Sequence, residues 1–147
     1  MNPLSVRFVA AALLAGTVWG AIGVLLAGQM LGPVVWGGAV VSPAIGLATA
    51  LLFRSFRRLS PGLRIALALA SLYVAAGLFA LAVGVTDAAR MIPNRNGGAV
   101  VIEKILGVWW GITFMGFLPL LWPIAYLTHS MLGRIEASAS PAAPARD

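Results

Sequence analysis

Long uncharged apolar stretches alternate with short polar connections along this chain. The four stretches run from Phe8 to Met30, Val34 to Phe53, Ile65 to Val85 and Ile105 to Thr128, and none contains Asp, Glu, Lys or Arg. An α-helix of about 20 residues is long enough to cross a hydrocarbon core of about 30 Å. The pattern therefore predicts an all-α, polytopic membrane protein, a bundle of four transmembrane helices formed by residues 1–136.

The connections between these stretches predict how the helices are joined. Gly32 and Pro33 interrupt helical hydrogen bonding, so the first two helices should form a tight hairpin. Pro119 and Pro123 lie within the last stretch and should bend that helix. Residues 137–147 are small, polar and proline-bearing, so we expect a disordered C-terminal tail.

Composition supports a membrane environment. Apolar residues make up 61% of the 147 residues and charged residues 10%, whereas soluble domains have about 45–50% and about 25%. The absence of cysteine excludes disulfides and thiolate metal sites. The net charge of +6 comes from basic residues scattered in short connections, so we expect no nucleic-acid partner.

The basic residues also predict an orientation, because short cytoplasmic connections are enriched in Arg and Lys. One side of the predicted bundle collects seven basic residues and the other collects three. The larger group is Arg7, Arg54, Arg57, Arg58, Arg64, Arg134 and Arg146, and the smaller is Arg90, Arg95 and Lys104. We therefore expect both termini in the cytoplasm. Richness in Ala, Gly and Arg suggests a bacterial inner membrane, whose lipids would be the chain's first partners.

Small residues recur at fourfold spacing and predict close helix packing. Lipid provides no hydrophobic drive between helices, so small side chains that let backbones approach are a main source of attraction. The predicted helix-packing residues are Gly16 and Gly20 in the first helix, Gly38, Ser42, Gly46 and Ala50 in the second, and Gly107 and Gly111 in the fourth. The partner helices can belong to the same chain, to a second copy or to another membrane protein.

Two connections are candidate contact sites. Arg54, Arg57, Arg58 and Arg64 lie between the second and third stretches, where they would anchor the orientation or contact lipid headgroups. The first three would share a helical face if the second helix continued beyond the membrane.

The connection from Thr86 to Lys104 is predicted to be the longest outside the membrane. Asp87, Arg90 and Arg95 are its candidate contact residues, and Asp87 could pair with Arg90. Long connections often carry function, although a plain solvated connector fits the same residues.

Candidate chemistry is sparse. The chain has one histidine, His129, which we interpret as a cap at the end of the last helix, and it has four acids. No catalytic motif and no intramembrane ionisable group point to an enzyme or an ion-coupled transporter, and we expect no metal and no cofactor. The favoured hypothesis is a non-enzymatic accessory or scaffold subunit that packs against partner helices. The alternative is a passive small-molecule or lipid transport protein that acts as an oligomer.

Overall fold

The computed structural model describes residues 5–90, 97–114 and 118–139, and these residues are helical throughout except for short turns. The five α-helices are α1 (Val6–Leu31), α2 (Val35–Leu52), α3 (Pro61–Arg90), α4 (Gly97–Phe114) and α5 (Trp122–Ala139). Three 3-10 helices lie between them, at Gly32–Val34, Arg54–Arg58 and Leu118–Leu121. The all-α prediction is confirmed for the described residues, which contain no strand.

The first two helices form the predicted hairpin. α1 begins after Ser5, whose Oγ accepts a hydrogen bond from the Phe8 N–H at 3.1 Å. α1 ends at Gly32, where φ is +61°, a conformation that glycine adopts without the steric cost of a Cβ atom. Pro33 follows within the 3-10 turn that leads directly into α2.

The hairpin is held by backbone contact between Gly16 of α1 and Gly46 of α2. A Cβ atom built on Gly46 would lie 2.6 Å from the Gly16 nitrogen and 2.7 Å from the Ala12 carbonyl oxygen. A Cβ built on Gly16 would lie 2.9 Å from the Gly46 Cα. The two backbones therefore touch at a point where any side chain would force them apart, and α1 and α2 form the most extensive helix pair in the bundle.

α3 lies at the centre of the remaining helices. Four of its residues at fourfold spacing, Ala68, Leu72, Ala76 and Ala80, are buried along one stripe. α3 packs against α2, α4 and α5, and α5 also reaches α1, so the helices close around a common interior.

The fourth predicted span is not one continuous helix. The segments Ile102–Phe114 and Pro119–Ser138 meet at an angle of 58°. Pro123 lies in the first turn of α5, where its missing N–H breaks no helical hydrogen bond, so the proline favours a new helix start over a bend in an existing helix. The bend predicted near Pro119 and Pro123 is therefore a break between α4 and α5, which together form the predicted fourth span if the bent pair is one broken span.

Within the part of the chain that the structure describes, three stretches are long and apolar enough to cross a membrane: Val6–Gln29, Gly32–Leu52 and Pro61–Asp87. The bent pair of α4 and α5 makes a fourth if it is counted as one broken span. In the most apolar 18 residues of each stretch, only 17%, 28% and 33% of the residues are buried inside the protein, and many large apolar side chains are exposed. Exposed apolar surface of this extent is typical of helices that contact lipid or a protein partner.

Two boundaries differ from the sequence predictions. α3 continues to Arg90 and α4 begins at Gly97, so helices occupy most of the predicted 86–104 connection. α5 continues to Ala139, and the first three residues of the predicted tail are therefore helical. Residues 140–147 lie outside the described part of the chain.

We predict that Gly46→Ala lowers the stability of the bundle by about 1–3 kcal/mol, because the new methyl group collides with backbone atoms that have no rotamer to change. Thermal unfolding in detergent micelles measures the effect. Gly107→Ala is the matched control, since a Cβ there meets nothing within 4 Å. That control should leave the melting temperature unchanged or raise it, because alanine favours a helix over glycine. Equal melting temperatures for both variants would contradict the contact.

Candidate functional site

The interior of the bundle contains a partly open cavity of about 100 Å³. Its walls come from all five α-helices, with a single residue from α4. The lining on α1 runs from Ala15 to Leu26, which is about 16 Å along the helix at 1.5 Å per residue. The cavity therefore extends over about half of a hydrocarbon core of about 30 Å. It is the candidate site.

Small residues make room for this cavity and fix its polar groups. Gly20 lies directly against Ser42, because a Cβ built on Gly20 would come within 2.6 Å of the Ser42 Cβ. Gly38 lies beneath the ring of Phe79, where an added Cβ would be 2.6 Å from the ring carbons. The close approach of α1 to α2 and of α3 to α2 brings Ser42 and Phe79 to the cavity wall.

Besides Trp19, five described residues with polar side chains line the cavity: Ser42, Thr49, Ser71, Thr128 and His129. Each of the four hydroxyl groups donates its proton to a carbonyl oxygen of its own helix. The oxygen-to-oxygen distances are 2.7 Å from Ser42 to Ala39, 2.9 Å from Thr49 to Ile45, 2.8 Å from Ser71 to Ala68 and 2.8 Å from Thr128 to Ile124. The indole N–H of Trp19 donates to Thr128 Oγ1 at 3.4 Å and links α1 to α5.

His129 is not a cap at a helix end, as the sequence suggested. It lies within α5, since the helix continues for ten residues beyond it. Its side chain is only 8% exposed. The rings of Phe53 and Phe56 lie 5.6 Å and 5.2 Å from the imidazole, between centroids. Phe56 also packs edge-on against Tyr126 at 5.4 Å. This aromatic cluster packs around His129, which itself lines the cavity.

The predicted helix-packing residues fall into two groups. Gly16, Gly20, Gly38, Ser42 and Gly46 lie at contacts between helices of this chain, and Ala50 is buried in a small cluster with Phe8, Ala12 and Leu132. A Cβ on Gly107 or Gly111 meets nothing within 4 Å in the described part of the chain. The described residues therefore include no packing partner for these two glycines.

The arginine cluster does not lie along one α-helical face. α2 ends at Leu52, and residues 54–58 form a 3-10 helix, so the fourfold spacing that the prediction assumed is lost. Arg54 pairs with Glu136 of α5, and the Arg64 Nε–H donates to the Leu59 carbonyl at 2.9 Å. Arg58 is exposed, and the side chain of Arg57 lies outside what the structure describes. Headgroup contact by these residues stays a prediction.

Asp87 of the predicted external loop pairs with Lys104 instead of with a neighbour in its own helix. The ion pair joins the end of α3 to the start of α4. The side chain of Arg90 and all of Arg95 lie outside the described residues, so an Asp87–Arg90 pair and a contact role for this loop stay predictions.

Comparisons with known proteins add no relative. No protein family matches the chain, and no curated protein or solved structure matches it. Within the described residues, no group of three His, Asp or Glu side chains is placed to hold a metal ion. What the cavity can bind is therefore inferred from the residues that line it.

Sequence reasoning missed the convergence of these polar groups. The hydroxyl residues of α2, α3 and α5 are far apart in the chain, and their spacing within each helix does not show which face turns inward. One signal was available: Ser42 belongs to the small-residue series of α2, so its hydroxyl had to lie at a helix contact.

We predict that Phe56→Ala destabilises the protein by about 3–5 kcal/mol, because the ring is 2% exposed and fills the space between Tyr126 and His129. Unfolding in detergent measures this loss. Leu52→Ala is the control on an exposed side chain, 68% exposed, and should change stability much less. A loss of equal size in both variants would show that the aromatic cluster does not stabilise this end of the bundle.

Proposed function

We propose that the chain is an integral protein of a bacterial inner membrane, with four crossings and both termini in the cytoplasm. The seven-to-three distribution of basic residues supports the orientation. Packing in the bundle agrees with four crossings: Phe8 near the start of α1 lies in one cluster with Ala50 near the end of α2 and Leu132 of α5. The Arg54–Glu136 pair lies at this same end, and the Asp87–Lys104 pair joins helix ends remote from it.

We further propose that the chain binds a small uncharged molecule between its helices and allows its passive transport. The observation that carries this proposal is the cavity of about 100 Å³ with five polar side chains in an otherwise apolar wall. Binding sites for small molecules are concave and largely apolar, with a few placed polar groups that orient the ligand. A site held between membrane helices is open to molecules that dissolve in lipid.

The lining argues against charged ligands and against catalysis. Among the described residues, no Asp, Glu, Lys or Arg side chain lines the cavity, so an ion entering it would lose its hydration without gaining a charged partner from them. A hydrolytic reaction needs a nucleophile and a base within hydrogen-bond reach. The hydroxyl protons of the cavity are instead donated to backbone carbonyls. We therefore propose a non-enzymatic role for the chain.

A second candidate function is the accessory or scaffold role, in which a partner helix packs on α4. The open face at Gly107 and Gly111 favours it, since small residues without a neighbour in the described bundle leave room for close backbone approach. The large side chains beside them, Trp110 and Phe114, are 61% and 58% exposed. A foreign chain or a second copy that co-purifies in mild detergent, and that Gly111→Leu releases, would support this role.

We predict that single cysteines at Ser60 and Asn96 are labelled from opposite sides of the membrane. The chain contains no cysteine, so each introduced thiol is the sole target of an impermeant maleimide. In intact cells the reagent should reach Asn96→Cys, and Ser60→Cys should react only after the membrane is opened. Labelling of both thiols from the same side would contradict the proposed orientation.

We predict that bromobenzene quenches the fluorescence of Trp19, which lines the cavity. The signal is the difference in quenching between the unaltered protein and the Trp19→Phe variant, each measured in lipid nanodiscs. Ala75→Leu should abolish this difference, because Ala75 lines the cavity and the larger side chain fills it.

Ala70→Leu is the matched control for that experiment, since Ala70 is an exposed residue of the same helix and lies outside the cavity. It should retain the quenching. Quenching that is equal in Ala75→Leu and Ala70→Leu would mean that bromobenzene reaches Trp19 from the lipid, and the proposed binding function would be wrong.

A further inference from the structure

The polar groups of the cavity wall offer more hydrogen-bond acceptors than donors to a bound molecule. A serine or threonine hydroxyl has one proton to donate and two lone pairs that accept. In Ser42, Thr49, Ser71 and Thr128 the proton is already donated to a backbone carbonyl. What these four side chains offer to a molecule in the cavity is therefore the lone pairs of their oxygens.

The other polar groups of the wall do not reverse this balance. The Trp19 N–H is engaged with Thr128 Oγ1, so it adds no available donor. Neutral imidazole carries one donor and one acceptor, so His129 adds one of each. The described part of the lining includes no Asn, Gln, Lys or Arg, although these side chains would supply several N–H donors. Acceptors outnumber donors by a wide margin.

From this balance we infer that the cavity takes small neutral molecules whose apolar body carries a hydrogen-bond donor, namely alcohols or phenols. The inference rests on the proposed binding function and specifies its ligand class. An O–H group that reaches one of the four hydroxyl oxygens makes a bond that ketones, ethers and hydrocarbons cannot make. In an apolar surrounding an unpaired polar group is costly, so each such bond discriminates strongly.

The volume of the cavity limits the size of the alcohols and phenols that it can bind. An engineered apolar cavity of about 150 Å³ binds benzene, and one water takes about 30 Å³ of liquid. A space of about 100 Å³ therefore fits one small ring or a short alkyl chain with its hydroxyl group, provided that side chains at the open edge adjust. Leu72, Ile45 and Phe79 supply the apolar surface against which such a body would pack. Whole lipids are too large.

The test compares 4-bromophenol with 4-bromoanisole, in which a methyl group replaces the phenolic proton that the inference requires. Both are titrated against the protein in nanodiscs, and the part of the quenching that depends on Trp19 is followed. 4-Bromophenol should bind about three- to tenfold more tightly, the equivalent of one net hydrogen bond. Simple partition into lipid favours the anisole, so unspecific quenching would rank the two compounds in the opposite order.

Two variants remove acceptors with little change of shape. Thr49→Val and Ser71→Ala should each reduce the preference for 4-bromophenol and leave the affinity for 4-bromoanisole unchanged. Thr17→Val is the control, because Thr17 is an exposed residue of α1 that donates to the Leu13 carbonyl and does not line the cavity. It should keep the full preference.

The outcomes separate this inference from the function on which it rests. Equal binding of the two compounds, or a preference that survives both acceptor variants, would overturn the inference and leave a purely apolar binding site. If neither compound nor bromobenzene gives quenching that depends on Trp19, the proposed binding function itself is wrong.

Discussion

The contact between two glycines, Gly16 and Gly46, is the constraint on which the rest of the bundle depends. Because neither residue has a side chain, α1 and α2 approach until their backbones touch, and in lipid such contact replaces the hydrophobic effect as the source of attraction. The close approach brings Ser42 into contact with Gly20, and another face of α2 packs against α3. Phe79 of α3 then packs over Gly38, and α5 closes the remaining gap.

Much of this architecture is readable from the sequence. Uncharged stretches of about 20 residues identify the first three helices to within four residues at the start and five at the end, because span length is fixed by helical rise. Gly32 and Pro33 identify the hairpin turn because few residue pairs end a helix so effectively. The break near Pro119 was anticipated as a bend. The angle of the break depends on how α5 packs against α1 and α3, and the residues around the prolines do not determine that packing.

The contacts across the bundle were not readable. Arg54 and Glu136 are 82 residues apart, and nothing in either local sequence indicates the other. The same holds for the indole of Trp19 and the hydroxyl of Thr128, which meet only because α5 lies against α1. His129 was misplaced because the end of the apolar stretch was taken as the end of the helix. Residues 130–139, which include the charged residues Arg134 and Glu136, continue the helix beyond the uncharged stretch.

The described lining of the cavity contains no Asp, Glu, Lys or Arg, and this has an energetic consequence for the passive transport proposed above. A transmembrane voltage acts on charge, at about 2.3 kcal/mol per elementary charge per 100 mV. A neutral guest carries no charge through that field, so the voltage does no electrical work on it. The passage proposed for these helices therefore follows the concentration gradient alone. It can equalise the two sides of a membrane, but it cannot accumulate its guest on either side.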